Sequence, residues 1–106
     1  MANFVIKTPA IPVIPVVNHG VEHGVFPVRR VYCIGRNYAA HAVEMGHDPD
    51  RDPPFFFQKN PNNLDASGTF PYPVQSADVH YEAELLVALK SGGSNIKIKD
   101  ALDHVW

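Results

Sequence analysis

Proline governs what this chain can become. Residues 9, 12 and 15 are all proline, and with Pro27, Pro53, Pro54, Pro61, Pro71 and Pro73 they leave few uninterrupted stretches. Each one fixes φ and removes a backbone donor, which ends helices and confines strands to edges. Ten prolines and seven glycines in 106 residues exclude a helical bundle and favour short strands joined by turns. With 45% hydrophobic and 19% charged residues, the chain can build a packed core, which excludes a charged disordered tail and a coiled coil. Its formal charge of −2 argues against a nucleic-acid or anionic-membrane surface. The most apolar stretch, residues 10–17, is short and broken by Pro12 and Pro15, so neither a membrane span nor a signal peptide is expected. A lone cysteine, Cys33, cannot form an internal disulfide. It favours a reducing, cytoplasmic setting and reads as a small core hydrophobe.

Residues 1–27 read as an extended arm, and the convincing secondary-structure signals begin at residue 28. Val28 to Gly35 is a β-branched and aromatic strand ending at a glycine that permits a sharp turn. A short helix is expected from Asn37 to Met45, with Gly46 in the place of its C-terminal cap. Phe55-Phe56-Phe57-Gln58-Lys59 is a compact aromatic strand, and the Asn- and Pro-containing loop after it must turn back. Val79 to Leu89 alternates around Glu82 and Glu84 and then runs continuously apolar, the pattern of a strand with a polar start and a buried end. Ile96 to Ile98 reads as a short strand, and Asp100 as the N-cap of a helix beginning at Ala101.

Four groups carry chemistry. Glu82 and Glu84 on a strand project from one face, where their repulsion is relieved by a cation that takes oxygen ligands, Mg²⁺, Mn²⁺ or Ca²⁺. The competing reading is a solvated edge strand. His41 and Glu44, three apart on a helix, share a face on which the carboxylate orients the imidazole to take a proton from water; an ordinary surface pair has the same spacing. Arg36, in Gly35-Arg36-Asn37-Tyr38, lies where backbone donors and a guanidinium converge on an anion, unless it is merely solvated. Lys59 ends its strand as either a carboxylate ligand or a snorkelling lysine. His19 and His23 have metal-ligand spacing, but Gly20 and Gly24 disfavour the helix that would align them. His47, His80 and His104 read as structural or solvated.

Taken in order, these segments are specific. Tyr32-Cys33-Ile34-Gly35-Arg36-Asn37-Tyr38-Ala39-Ala40-His41-Ala42-Val43-Glu44-Met45-Gly46, then Pro54-Phe55-Phe56-Phe57-Gln58-Lys59-Asn60-Pro61, then Tyr81-Glu82-Ala83-Glu84-Leu85 closely resemble the fumarylacetoacetate hydrolase family, over about residues 28–106. The stretch Gly46-His47-Asp48-Pro49-Asp50-Arg51 is similar to the family's short bacterial acylpyruvases.

That resemblance implies an α+β, mostly β fold, part of a mixed β-sandwich roll with short helices, commonly dimeric. It implies that Glu82 and Glu84 are two of three carboxylate ligands to Mg²⁺ or Mn²⁺, and that His41 and Glu44 are a water-activating dyad on a lid helix. Arg36 and Lys59 then stand in or near the substrate pocket. The implied reaction is hydrolysis of a C–C bond in a 2,4-diketo acid, with decarboxylation or isomerisation of an oxo-acid as the alternative. The third acidic ligand is expected beyond Trp106, so the chain is expected to represent the N-terminal portion of such a domain. A reading of another class is a non-catalytic fragment that self-associates through uncovered apolar surface.

Overall fold

A computed structural model describes residues 2–35, 46 and 53–106. They form two compact units, Met1–Pro71 and Tyr72–Trp106. The regular structure described is mostly β: strands β1 (Val13–Asn18), β2 (Val21–Pro27), β3 (Val31–Gly35) and β4 (Phe55–Lys59), with short 3-10 helices at Pro61–Asn63 and Ile98–His104. No helix among the described residues is long and apolar enough to cross a membrane.

The N-terminal segment corrects the reading of an extended arm, because β1 and β2 pair as an antiparallel hairpin. The Pro12 carbonyl accepts a hydrogen bond from the Val28 N–H at 2.8 Å. Alternation along the ladder then makes Ile14↔Phe26 a hydrogen-bonded pair and leaves Val13↔Pro27 and Pro15↔Val25 as non-bonded pairs. Pro15 and Pro27 therefore stand where a strand residue has no ladder donor to contribute, so their missing N–H groups cost nothing. Asn18 pairs with Val21 across a two-residue turn in which His19 and Gly20 have φ +50° and +75°. Both values are positive, as a hairpin turn of the primed kind requires. Between Pro15 and Val17 the partner steps from Val25 to Glu22, so β2 carries an extra residue, and Gly24 at φ +109° absorbs the bulge. Gly20 and Gly24 thus serve a turn and a bulge, and His19 and His23 are not aligned on a helix.

The aromatic strand runs from Phe55 to Lys59 as expected, whereas its partner begins at Val31 rather than Val28. The register is Val31↔Lys59, Tyr32↔Gln58, Cys33↔Phe57, Ile34↔Phe56 and Gly35↔Phe55. Val31, Cys33, Phe55 and Phe57 share one face, on which the Phe55 and Phe57 rings stack with centroids 5.7 Å apart. Tyr32, Ile34 and Phe56 share the other and are exposed. Cys33 is half-buried, a free thiol. The Phe55 ring occupies the space that a Cβ at position 35 would need, which is why glycine stands there.

Val28 is the buried hydrophobic residue among those described. In the second unit, the expected strand over Val79–Leu89 is absent except for an isolated bridge between Leu89 and Val105. That bridge is closed by Lys90 N–H to the His104 carbonyl and Trp106 N–H to the Ala88 carbonyl, both 2.9 Å. The expected strand at Ile96–Ile98 is also absent. In place of an Asp100-capped helix starting at Ala101, a 3-10 helix spans Ile98–His104, with Lys97 at its N-cap and Asp100 in its first turn. An acidic residue in that turn suits the exposed N–H groups there without having to cap them. The expected helix Asn37–Met45 lies outside the described residues; Gly46 has φ +78°, in the left-handed region that favours glycine.

After β4, the Asn60 side chain caps the Pro61–Asn63 helix by accepting from the Asn62 N–H at 3.0 Å. Asp65 Oδ1 next accepts from the Ser67 N–H at 2.8 Å, and the Ser67 hydroxyl donates to the Thr69 carbonyl at 3.1 Å. Hydrogen bonding from the Ser67 side chain, and then from its backbone, holds the Asp65 carboxyl below its ordinary pKa. Because the folded value is the lower one, the turn is favoured above the unfolded-state pKa, and that preference is lost as pH falls through the folded one.

Two predictions follow from these contacts. Gly35→Ala drives a methyl group into the Phe55 ring and should cost about 1–3 kcal/mol, as overpacking typically does. Thermal melts followed by far-ultraviolet circular dichroism should show that loss shrinking when Phe55→Leu is added, since touching residues couple. For the turn, carbon-detected titration should place the Asp65 midpoint below that of an unstructured aspartate. Ser67→Ala should move it upward; an unchanged midpoint would mean that the hydroxyl has no part in the shift.

Candidate active site

The predicted site residues fall into three places. Lys59 closes β4 opposite Val31, beside an open depression of about 310 Å³ that Arg29 and Arg30 also line. Glu82 and Glu84 lie in the second unit, both exposed, in a segment without regular secondary structure. This corrects the strand on which their shared-face argument rested, since a side-by-side placement imposed by a pleat needs a ladder and none is formed there. Arg36, His41 and Glu44 lie outside the described residues.

The donor chemistry of Glu82 and Glu84 still fits a hard divalent cation. Two carboxylates supply formal negative charge and oxygen ligands, which Mg²⁺, Mn²⁺ and Ca²⁺ prefer. Among the described residues no group of three or more His, Cys, Asp or Glu is gathered where it could hold an ion. The nearest polar pair in sequence is His80 Nε2 with Asp78 Oδ1 at 2.9 Å, exposed on both sides. Such a pair accounts for His80 without a metal. His104 is likewise occupied, its Nδ1 lying 2.9 Å from the Ser91 hydroxyl across the base of the loop that the Leu89–Val105 bridge closes.

Two residues with a claim on ligand binding escape a reading by motif. Arg29 and Arg30 precede β3, and only the register Val31↔Lys59 brings them to the same depression as Lys59. The available sequence signal is a cationic pair before one strand and a cation at the end of another. It becomes informative only when the two strands are known to be antiparallel and in this register.

With this geometry in place, comparison with known proteins defines the class. Residues 30–106 match the family model described as fumarylacetoacetate (FAA) hydrolase C-terminal, and the chain belongs to the fumarylacetoacetate hydrolase family. Its structure is similar to the crystal structure of fumarylpyruvate hydrolase from Pseudomonas aeruginosa in complex with Mn²⁺ and pyruvate. The identity is 46% and the TM-score 0.84, over 98% of this chain and 46% of that one. A mitochondrial oxaloacetate decarboxylase of Dictyostelium discoideum is 39% identical over 79 residues, covering 73% of this chain and 36% of the relative. The oxaloacetate tautomerase YisK of Bacillus subtilis is 35% identical over 83 residues, covering 76% and 28%. The chain therefore spans less than half the length of each of these relatives.

Proposed function

We propose that these residues belong to a divalent-metal-dependent hydrolase that splits a C–C bond in a 2,4-diketo acid, taking fumarylpyruvate to fumarate and pyruvate. The supporting observation is the 46% identity, with a TM-score of 0.84, to a fumarylpyruvate hydrolase whose structure holds Mn²⁺ and pyruvate. The complete domain is proposed to be a β-sandwich roll acting as a homodimer in the cytoplasm. Residues 28–106 supply its N-terminal catalytic portion.

Glu82 and Glu84 would hold Mg²⁺ or Mn²⁺ through carboxylate oxygens. When bound, the cation supplies Lewis acidity toward the 2-oxo acid and the leaving enolate. His41 acts as the general base: its imidazole takes a proton from water while the resulting hydroxyl adds to the acyl carbonyl carbon. Glu44 fixes the imidazole in orientation and favours its protonated form. The C–C bond between the acyl carbon and the methylene then breaks, its electron pair stays with the pyruvate portion, and a proton returned to that carbon completes pyruvate. Arg36 and Lys59 hold carboxylates of the substrate.

A second reading, decarboxylation or tautomerisation of oxaloacetate, is favoured by the oxaloacetate decarboxylase and tautomerase relatives. Both readings use a stabilised enolate, and the substrate separates them.

The test joins residues 1–106 to the remaining portion of the Pseudomonas aeruginosa fumarylpyruvate hydrolase and assays fumarylpyruvate, acetylpyruvate and oxaloacetate with Mn²⁺. Loss of the fumarylpyruvate enol absorbance, with little turnover of oxaloacetate, is expected; the reverse preference would establish the second reading. In that chimera His41→Ala should lower turnover about 10²–10⁴-fold with metal affinity intact, as loss of a general base does. Glu82→Gln or Glu84→Gln should weaken Mn²⁺ binding in a calorimetric titration, since each removes a formal charge from the ion's ligands. Unaltered affinity in both variants would remove these two residues from the metal site.

A further inference from the structure

Building on the assignment of Glu82 and Glu84 as metal ligands, we propose that Ser91 and His104 are positioning residues for those carboxylates, acting through the Leu89–Val105 bridge that they pin. Residues 90–104 form a loop whose two ends meet at that bridge. His104 is bound there twice. Its carbonyl accepts from the Lys90 N–H at 2.9 Å, and its Nδ1 lies 2.9 Å from the hydroxyl of Ser91, the next residue along. A hydroxyl can donate to a bare ring nitrogen or accept from a protonated one, so the contact persists in either form. Bringing the ends of a loop together costs chain entropy, which the second attachment helps to offset.

The direction of pairing decides what this closure does for the glutamates. The bridge is antiparallel, so each step back from Leu89 toward Glu84 is met by a step forward from Val105. The first such step is already made, with the Trp106 N–H donating to the Ala88 carbonyl at 2.9 Å. In the other direction the 3-10 helix Ile98–His104 takes up the backbone and ends the pairing. The ladder therefore grows toward the glutamates alone. Once their segment pairs as a strand, residues two apart share a face, and Glu82, Glu84, Leu86 and Ala88 stand together on the side away from Leu89. That pleat imposes the side-by-side placement of carboxylates which a segment without regular secondary structure does not. A slip of one residue at the bridge would turn both glutamates to the other face, so the attachment that keeps Leu89 opposite Val105 also selects the face they occupy. Ser91 and His104 are not themselves ligands; they act by holding register.

The experiment titrates the 106-residue chain with Mn²⁺, reading the paramagnetic broadening of the Glu82 and Glu84 amides, and measures hydrogen exchange at the Lys90 and Trp106 amides that close the bridge. Ser91 is exposed, so Ser91→Ala removes a hydroxyl without opening a cavity. That variant should speed exchange at both amides and weaken Mn²⁺ binding, each by roughly twofold to tenfold, the range of a single hydrogen bond. Ser91→Thr keeps the hydroxyl and should restore both. His104→Ala should match Ser91→Ala, and the double variant should be no worse than either one, since the two side chains act as a pair. Faster exchange with unaltered Mn²⁺ affinity would overturn the positioning role, because the contact would then hold only its own loop. Exchange unchanged by Ser91→Ala would overturn it as well. Glu82→Gln and Glu84→Gln separate this failure from that of the metal assignment: broadening that survives in both variants removes the glutamates from the metal site, and the positioning role falls with them.

Discussion

The register of the β3–β4 ladder decides what can meet what in the first unit. Because Val31 faces Lys59 and Gly35 faces Phe55, the five-residue strands place their polar terminus and their glycine terminus at opposite ends. A slip of one residue would put the Phe55 ring against a side chain instead of against Gly35, and would turn Lys59 to the other face. The ring therefore does more than add apolar area. It packs over the bare backbone of Gly35 in this register, the same register that sets Lys59 opposite Val31.

The same ladder shows why apolar content and a buried core are different things here. Both faces carry large apolar side chains, with Phe57 41% and Phe56 69% exposed. Val28, with 8% of its surface exposed, is the described hydrophobic residue that counts as buried. Apolar surface left in water forgoes roughly 25 cal/mol per Å², so faces of this composition favour a covering layer wherever one is offered. The run Leu85-Leu86-Val87-Ala88-Leu89 has the same character: its composition is that of a strand covered on both sides, and Leu85 is 83% exposed.

How much was legible in the sequence depended on whether the information was local. The bounds of β4 and the end of β3 were readable, since aromatic and β-branched runs closed by glycine or by a polar loop carry their own signal. The hairpin Val13–Pro27 was hidden by its prolines, whose harmlessness depends on which positions of the ladder lack hydrogen bonds. Residues 79–88 failed in the opposite sense, because a strand exists only when a partner accepts its hydrogen bonds and the partner is not encoded in the strand. Among candidate site residues, Glu82, Glu84, His41 and Glu44 were singled out by the family-like segments that hold them; Glu82 and Glu84 lie in a segment without regular secondary structure, and His41 and Glu44 lie outside the described residues. Arg29 and Arg30 were not singled out, because their relation to Lys59 is a property of pairing across 28 residues of chain.

That pairing also bears on how the cationic residues divide their work. Four residue steps separate the Val31↔Lys59 and Gly35↔Phe55 pairs, about 13 Å at roughly 3.3 Å per residue. A single carboxylate is only a few ångströms across, so the backbone at the Gly35 end and the Lys59 ammonium are too far apart to grip the same one. Arg29 and Arg30 enter at the Lys59 end, which concentrates positive charge there and leaves the glycine end to the segment that Gly35 introduces. The strand that carries Cys33 and Ile34 thus acts as a spacer between the Lys59 end of the ladder and the Gly35 end.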